Sequence, residues 1–235
     1  MQERNRMVRR VLMTLCGVLI AGWSVGMFQY SMLGMDPFQV FAHGIWNQIL
    51  HILSGRGIRL LTAADLQAPA IGYGPVYMVI NFLLLIVDWF LDRRKIGIAT
   101  FLNLFLVGYV VDLSYGVWVR LMPSPSLPVR ALFLLAAIVI MCLASALYFT
   151  GDLGVSTYDA IALALSEQKG WDFRIVRIST DLVCTGLGTL MGVFPGVGTL
   201  ITAFFMGPLI EFFNVHVARP LLAGSPSSSG GAGEL

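Results

Sequence analysis

Asp181 lies near the middle of an apolar run, "RIVRISTDLVCTGLGTLM". A carboxylate at that depth in a bilayer is costly and by default marks an ion path or a proton relay. Arg177 stands four residues earlier on the same helical face, so a buried ion pair that only fixes packing is the alternative. Asn81, in "VYMVINFLLL", is a neutral counterpart at the middle of an earlier run. Two shorter, more polar stretches add further candidates. "DPFQVFAHGIWNQILHIL" (36–53) carries Asp36 and Gln39, and "STYDAIALALSEQ" (156–168) carries Ser156 and Asp159. Asp36-Pro37 reads as an N-cap followed by proline at the first helical position. Ser156 to Asp159 reads as a capping box with Asp in the place of Glu or Gln. Bare amides at a buried helix start attract anions, but acidic caps oppose that field, so a pure anion site is not expected. Plain capping of buried helix starts is the competing explanation. Thr100, Asn103, Thr199 and Thr202 either line the same cavity or hydrogen-bond across helices. Together these residues, Asn103 and Thr202 included, suit a pathway for a small polar solute or ion.

Other chemistry has no positive signal. His43, His51 and His216 are not at metal-ligand spacing, and no nucleophile–base pair, phosphate loop or haem motif occurs. The expectation is therefore no enzyme, no metal and no cofactor. The three cysteines, Cys16, Cys142 and Cys184, all fall within apolar runs and form neither a disulfide framework nor a zinc motif, so core packing is expected of each. No basic tract with interleaved aromatics supports nucleic-acid binding.

The elements that must position the polar residues are set by composition. Of 235 residues, 57% are hydrophobic and 12% are charged, and the mean hydropathy is +0.80. Soluble domains carry about 25% charged residues, and several apolar runs here reach the roughly 20 residues that cross a bilayer. The chain reads as an all-α integral membrane protein surrounded by lipid. The basic start, with Arg4, Arg6, Arg9 and Arg10, precedes an apolar run too long for a signal peptide. It is expected to stay as a first span with its start in the cytoplasm.

The chain also repeats itself. "GIATFLNLFLVGYVVD" (97–112) and "GVGTLITAFFMGPLIE" (196–211) match at an offset of 99, with Thr100 on Thr199, Asn103 on Thr202, Gly108 on Gly207 and Asp112 on Glu211. "LGMDPFQVFAHGI" (33–45) matches "LGVSTYDAIALAL" (153–165) at 120, which also puts Arg10 on Arg130. "GYGPVYMVINFLLL" (72–85) faces "DFRIVRISTDLVCT" (172–185) at 100, with Asn81 on Asp181. The offset changes only between helices, chiefly through extra residues in "SGRGIRLLTAADLQAPA". Two membrane repeats are expected, 1–122 and 123–222, with "MPSPSLP" at the boundary. The remainder, 223–235, ends in "GSPSSSGGAGEL" and reads as a disordered tail or an expression remnant.

Each repeat then holds a long helix, a short polar helix and two further spans: 9–32, 36–53, 72–91 and 96–119 in the first, and 128–150, 156–168, 173–193 and 197–217 in the second. The short helices are too polar to cross while facing lipid and suit re-entrant segments covered by protein. Re-entry gives six spans with eleven Lys and Arg inside and four outside. Eight crossings would give twelve and three, but would put Arg93, Arg94 and Lys95 outside in a tight hairpin, against the positive-inside bias. Six spans mean three per repeat, so the repeats are inverted, a recurring plan of transporters. Asp112 and Glu211 fall near a membrane interface, where solvation is a sufficient explanation.

"LGMDPFQVFAHGI", "IGYGPVYMVINFLLLIVDWFL" and "KIGIATFLNLFLVGYVVDL" resemble the bacterial YczE/YyaS/YitT membrane-protein family over roughly residues 10–215. The resemblance implies a bacterial inner-membrane protein in a family whose members are often described as transporters or as uncharacterised. It implies no established substrate and carries over no catalytic residues. The expected function is a small secondary transporter or channel, with both termini cytoplasmic. A membrane scaffold or regulator acting through a partner is the alternative, and homo-oligomerisation is left open.

Overall fold

The computed structural model describes residues 2–53 and 71–223, without the side chains of residues 2, 3, 5, 173 and 174. The extra stretch 54–70 and the ending 224–235 lie outside the described residues. All regular structure among the described residues is helical: α1 (Gln2–Ser31), α2 (Pro37–Leu53), α3 (Tyr73–Leu91), a 3₁₀ turn (Arg93–Lys95), α4 (Ile98–Leu121), α5 (Leu127–Gly151), α6 (Thr157–Lys169), α7 (Phe173–Leu190) and α8 (Val197–Phe213). A π turn, Asn214–Ala218, carries α8 into the short α9 (Arg219–Ala223). Five helices are long and apolar enough to cross a membrane: α1 from Arg6, α3, α4, α5 and the continuous Val197–Ala223. Helix α7 is not one of the five, and Arg174, Arg177 and Asp181 within its 18 residues lower its apolarity. The last span runs beyond the expected end at 217, because no break follows Phe213.

Helices α1 and α5 form the centre of the packing, each against the other, with α4 on α1 and α8 on α5. Arg10, at the start of α1, donates from Nε to the Gly151 carbonyl at the end of α5, at 2.8 Å. Arg130, at the start of α5, donates from Nε to the Ser31 carbonyl at the end of α1, at 2.7 Å. The two helices therefore run antiparallel.

Such reciprocity recurs across the molecule. Ala99 N–H, at the start of α4, donates to Leu153 O at 3.0 Å, and Gly198 N–H, at the start of α8, donates to Leu33 O at 2.9 Å. Gln168 of α6 donates to Leu91 O, and Gln48 of α2 donates to Met191 O, both at 2.9 Å. Each short helix packs on the third helix of the other half: α2 on α7 and α6 on α3. The two rings at equivalent positions, Phe38 and Tyr158, stack on each other with centroids 4.8 Å apart and planes 15° apart.

The ends of α1 and α5 show why the repeat survives in "LG". Met32 and Asp152 turn left-handed (φ 54° and 49°), and Gly34 and Gly154 follow at φ 117° and 105°. A side chain on Gly34 would meet Thr199 N at 2.8 Å and Gly196 at 2.9 Å. Only glycine permits both that backbone conformation and that approach. Not every sequence expectation holds. Asp112 is not simply solvated: its carboxylate accepts Tyr73 N–H at 3.1 Å and Gly74 N–H at 2.8 Å, capping α3. Cys142 is buried, but Cys16 is exposed on α1 and Cys184 only partly covered.

Candidate functional site

The site grows from the first turn of α6. Ser156 caps it, its hydroxyl accepting Asp159 N–H at 3.2 Å. The Asp159 carboxylate does not return a bond to the cap backbone, as a full capping box requires. It accepts the Ser156 hydroxyl at 2.7 Å and the Tyr148 hydroxyl of α5. Its other oxygen pairs with Arg177 of α7. Arg177 Nε also lies 3.4 Å from Asp181 Oδ1, one turn further along α7. Tyr158 donates its hydroxyl to the same Asp181 oxygen at 2.5 Å, while its ring lies 4.6 Å beneath the Arg177 guanidinium. The side chains of Asp159 and Asp181 are each 9% exposed. Helix α7 could not turn this face to lipid; paired and hydrogen-bonded charges are what a low-dielectric interior tolerates.

Asp36 approaches the cluster from the other half. Its Oδ1 accepts Phe38 N–H at 3.1 Å and Gln39 N–H at 3.4 Å, so the expected N-cap of α2 is present. Asp36 lies in the connection between α1 and α2. Burial pushes its carboxyl up to about 7; the Asp181 carboxylate adds to the rise, while Arg177 and the two amides oppose it.

A cavity of about 390 Å³ opens beside these groups. Asp36, Asp159, Arg177, Asp181 and Thr202 line it, with walls from Ser145, Tyr148, Phe149 and Ile178 and from the 203–210 stretch of α8. Five of the nine candidate residues therefore share one space. Ser156 stands behind Asp159 as its hydrogen-bond donor. Gln39 accepts the Tyr73 hydroxyl, and Asn81 accepts Thr157 Oγ1 at 2.7 Å while donating to Tyr77 O at 2.9 Å. Asn81 and Asp181 thus bind the neighbouring residues Thr157 and Tyr158 of α6, but only Asp181 reaches the cavity. Asn103 is buried in α4 and does not line it. Thr100 is absorbed locally, donating to Val155 O at 2.6 Å.

Three buried polar residues, two of them at the site, were not singled out from sequence. Tyr148 and Tyr158 each complete a carboxylate's hydrogen bonding, and Tyr158 carried a readable signal, since it aligns with Phe38 in the repeat. Asp88 of α3 is 1% exposed, and neither oxygen has a hydrogen-bond partner among the described residues. It lies one turn from the end of a span, where a carboxylate reads as an interfacial residue. No group of three His, Cys, Asp or Glu among the described residues could hold a metal ion.

The model of a family of unknown function, DUF6198, matches residues 8–215. The chain belongs to that family. It is 26% identical over 196 residues to an uncharacterized protein of Haemophilus influenzae, covering 83% of this chain and 84% of that one. It is 19% identical over 211 residues to the uncharacterized membrane protein YczE of Bacillus subtilis, covering 89% and 87%. The YczE-like resemblance of the sequence is thus upheld, and the family member described here is a membrane protein. No solved structure matches the chain.

Proposed function

We propose that this family member is a small secondary transporter or channel, moving a small polar solute or ion between two inverted repeats in a bacterial inner membrane. The observation that carries this reading is the cavity in which Asp36 of one half meets Asp159, Arg177 and Asp181 of the other. A site shared by both halves and lined by hydrophilic groups at depth suits alternating exposure. The antiparallel course of α1 and α5 and the reciprocal hydrogen bonds support inversion. Helix α7 serves as the sixth crossing: its charges pair inward, while Ile175, Leu182, Val183, Leu187 and Leu190 remain exposed on its outer face. Helices α2 and α6 re-enter without crossing, and the burial of Gln39, His43, Asn47 and His51 against protein supports this for α2. Both termini are then cytoplasmic. Solute passage needs no covalent step, so no enzymatic role is assigned.

Purified protein in liposomes, stepped in turn through gradients of H⁺, Na⁺, K⁺ and chloride, tests the reading. Charge movement or internal pH change is expected above that of protein-free liposomes, and Asp181→Asn should diminish it. A folded protein silent to every gradient, with a partner co-purifying at fixed stoichiometry, would instead support a scaffold. The exposed α8 face, with Leu200, Phe204 and Phe205 uncovered, is the observation favouring that second reading.

A further inference from the structure

The cavity's charge is unbalanced. Three carboxylates, Asp36, Asp159 and Asp181, line it against the single guanidinium of Arg177. Arg177 is already engaged by both Asp159 and Asp181, so an anion entering here would have to displace a carboxylate. Asp181 Oδ1 takes both the Tyr158 and the Arg177 contacts; its Oδ2, and Oδ2 of Asp36, receive no hydrogen bond among the described residues. The free oxygens belong to residues that line the cavity. The rest of the wall is mostly apolar, with Phe149, Phe204, Met206 and Ile210 among its residues, beside Ser145, Tyr148 and Thr202. Its volume falls within the range of roughly 300–1,000 Å³ typical of small-molecule sites, and is far larger than a bare metal ion needs.

The way in is lateral. Helices α7 and α8 both line the cavity but barely touch, and a side chain added at Gly207, itself a lining residue, would meet nothing within 4 Å. The flanking residues Leu182, Val183, Phe204 and Phe205 are exposed and apolar. An amphiphile can enter such a route directly from the hydrocarbon.

We infer that the cavity binds an amphiphilic monovalent organic cation, which enters between α7 and α8 and sets its charge against Asp36 and Asp181. This deepens the transport reading by naming a substrate class for the same site. The groups facing Asp36 are Asp181, Arg177 and Cys184 of α7, Asp159 of α6, and Tyr73 and Tyr77 of α3. Because the Asp36 carboxyl ionises at about 7, affinity for a cation should rise with pH through that region.

The test uses the detergent-purified full chain and equilibrium binding of two probes of matched shape and opposite charge, tetraphenylphosphonium and tetraphenylborate. The phosphonium is expected to bind at least about tenfold more tightly, a difference in Kd that competition resolves directly. Asp36→Asn should weaken it about tenfold and remove the rise with pH, while Asn still caps α2. Gly207→Leu should weaken binding by filling the entry, with the Tm of the free protein unchanged, and it serves where the Asp36 variant does not fold. Equal or tighter binding of the borate overturns the inference and leaves transport of another solute open. Phosphonium binding insensitive to both variants overturns it as well. Phosphonium binding with the expected sensitivities, but no phosphonium flux into liposomes, upholds the cation site and removes the transport reading.

Discussion

The seam between α3 and α4 and the seam between α7 and α8 are built from equivalent helices and differ in closure. In the first half, backbone meets backbone: a side chain on Gly108 would lie 2.8 Å from Gly74 Cα. The Asp112 carboxylate then holds the start of α3 through two amides. In the second half, the sequence places Arg174 where Gly74 stands. Gly207, the counterpart of Gly108, faces open space. Glu211, the counterpart of Asp112, caps no helix start and pairs with Arg219 at 3.4 Å on an exposed surface. Of the apolar window of α4, 44% is buried inside the protein; for the α8 span it is 6%.

The halves differ in charge in the same sense. Asp159, Arg177 and Asp181 stand where the first half has Gln39, Tyr77 and Asn81. The neutral set closes on itself through hydroxyl and amide bonds, whereas the charged set keeps carboxylate oxygens facing a space. The ionic cluster should therefore break hardest. Arg177→Gln leaves two buried carboxylates facing each other and should cost about 3–5 kcal/mol, read as a large fall in Tm in detergent. Adding Asp159→Asn should recover part of it; a single variant within about 1 kcal/mol of the parent would mean the cluster is not pinned by charge. Next, Gly108→Leu should destabilise by about 1–3 kcal/mol through overpacking, while Gly207→Leu stays within about 0.5 kcal/mol. Equal effects on Tm would erase the difference between the seams.

Asp88 has Gly188 as its counterpart, and Gly188 packs against the Val40 carbonyl of α2. Replacing the orphan carboxyl in Asp88→Leu should raise stability by about 1–3 kcal/mol; a loss would mean that Asp88 has an essential partner. The smallest contrast concerns the caps. Asp112→Ala should cost about 1 kcal/mol, as a lost helix cap does. Glu211→Ala should cost a few tenths, as for an exposed ion pair. Chemical denaturation of the two variants in parallel would resolve the order.

Much of this was readable beforehand for a simple reason. Span length and apolarity are local properties, so α1, α3, α4 and α5 could be placed to within a few residues. Proline after Asp36 and Ser156 before an acidic third position mark helix starts through chemistry confined to one turn. The repeat was legible because equivalent positions meet equivalent surroundings, as the Arg10 and Arg130 bonds to opposite helix ends illustrate. Asp112 was misjudged because its partners, Tyr73 and Gly74, lie 39 and 38 residues away. Asn103 was grouped with Thr202 by register, yet register cannot say which of two matching seams is open.

What composition and periodicity dictated, then, was a lipid-solvated helical chain with matching stretches, because about 20 apolar residues and a recurring pattern need no knowledge of neighbours. What packing alone decided was that Tyr148 and Tyr158 complete the carboxylate bonds, that Arg177 is shared between Asp159 and Asp181, and that Asp36 joins them at one cavity. Those outcomes depend on distances between helices far apart in the chain, which no local pattern records.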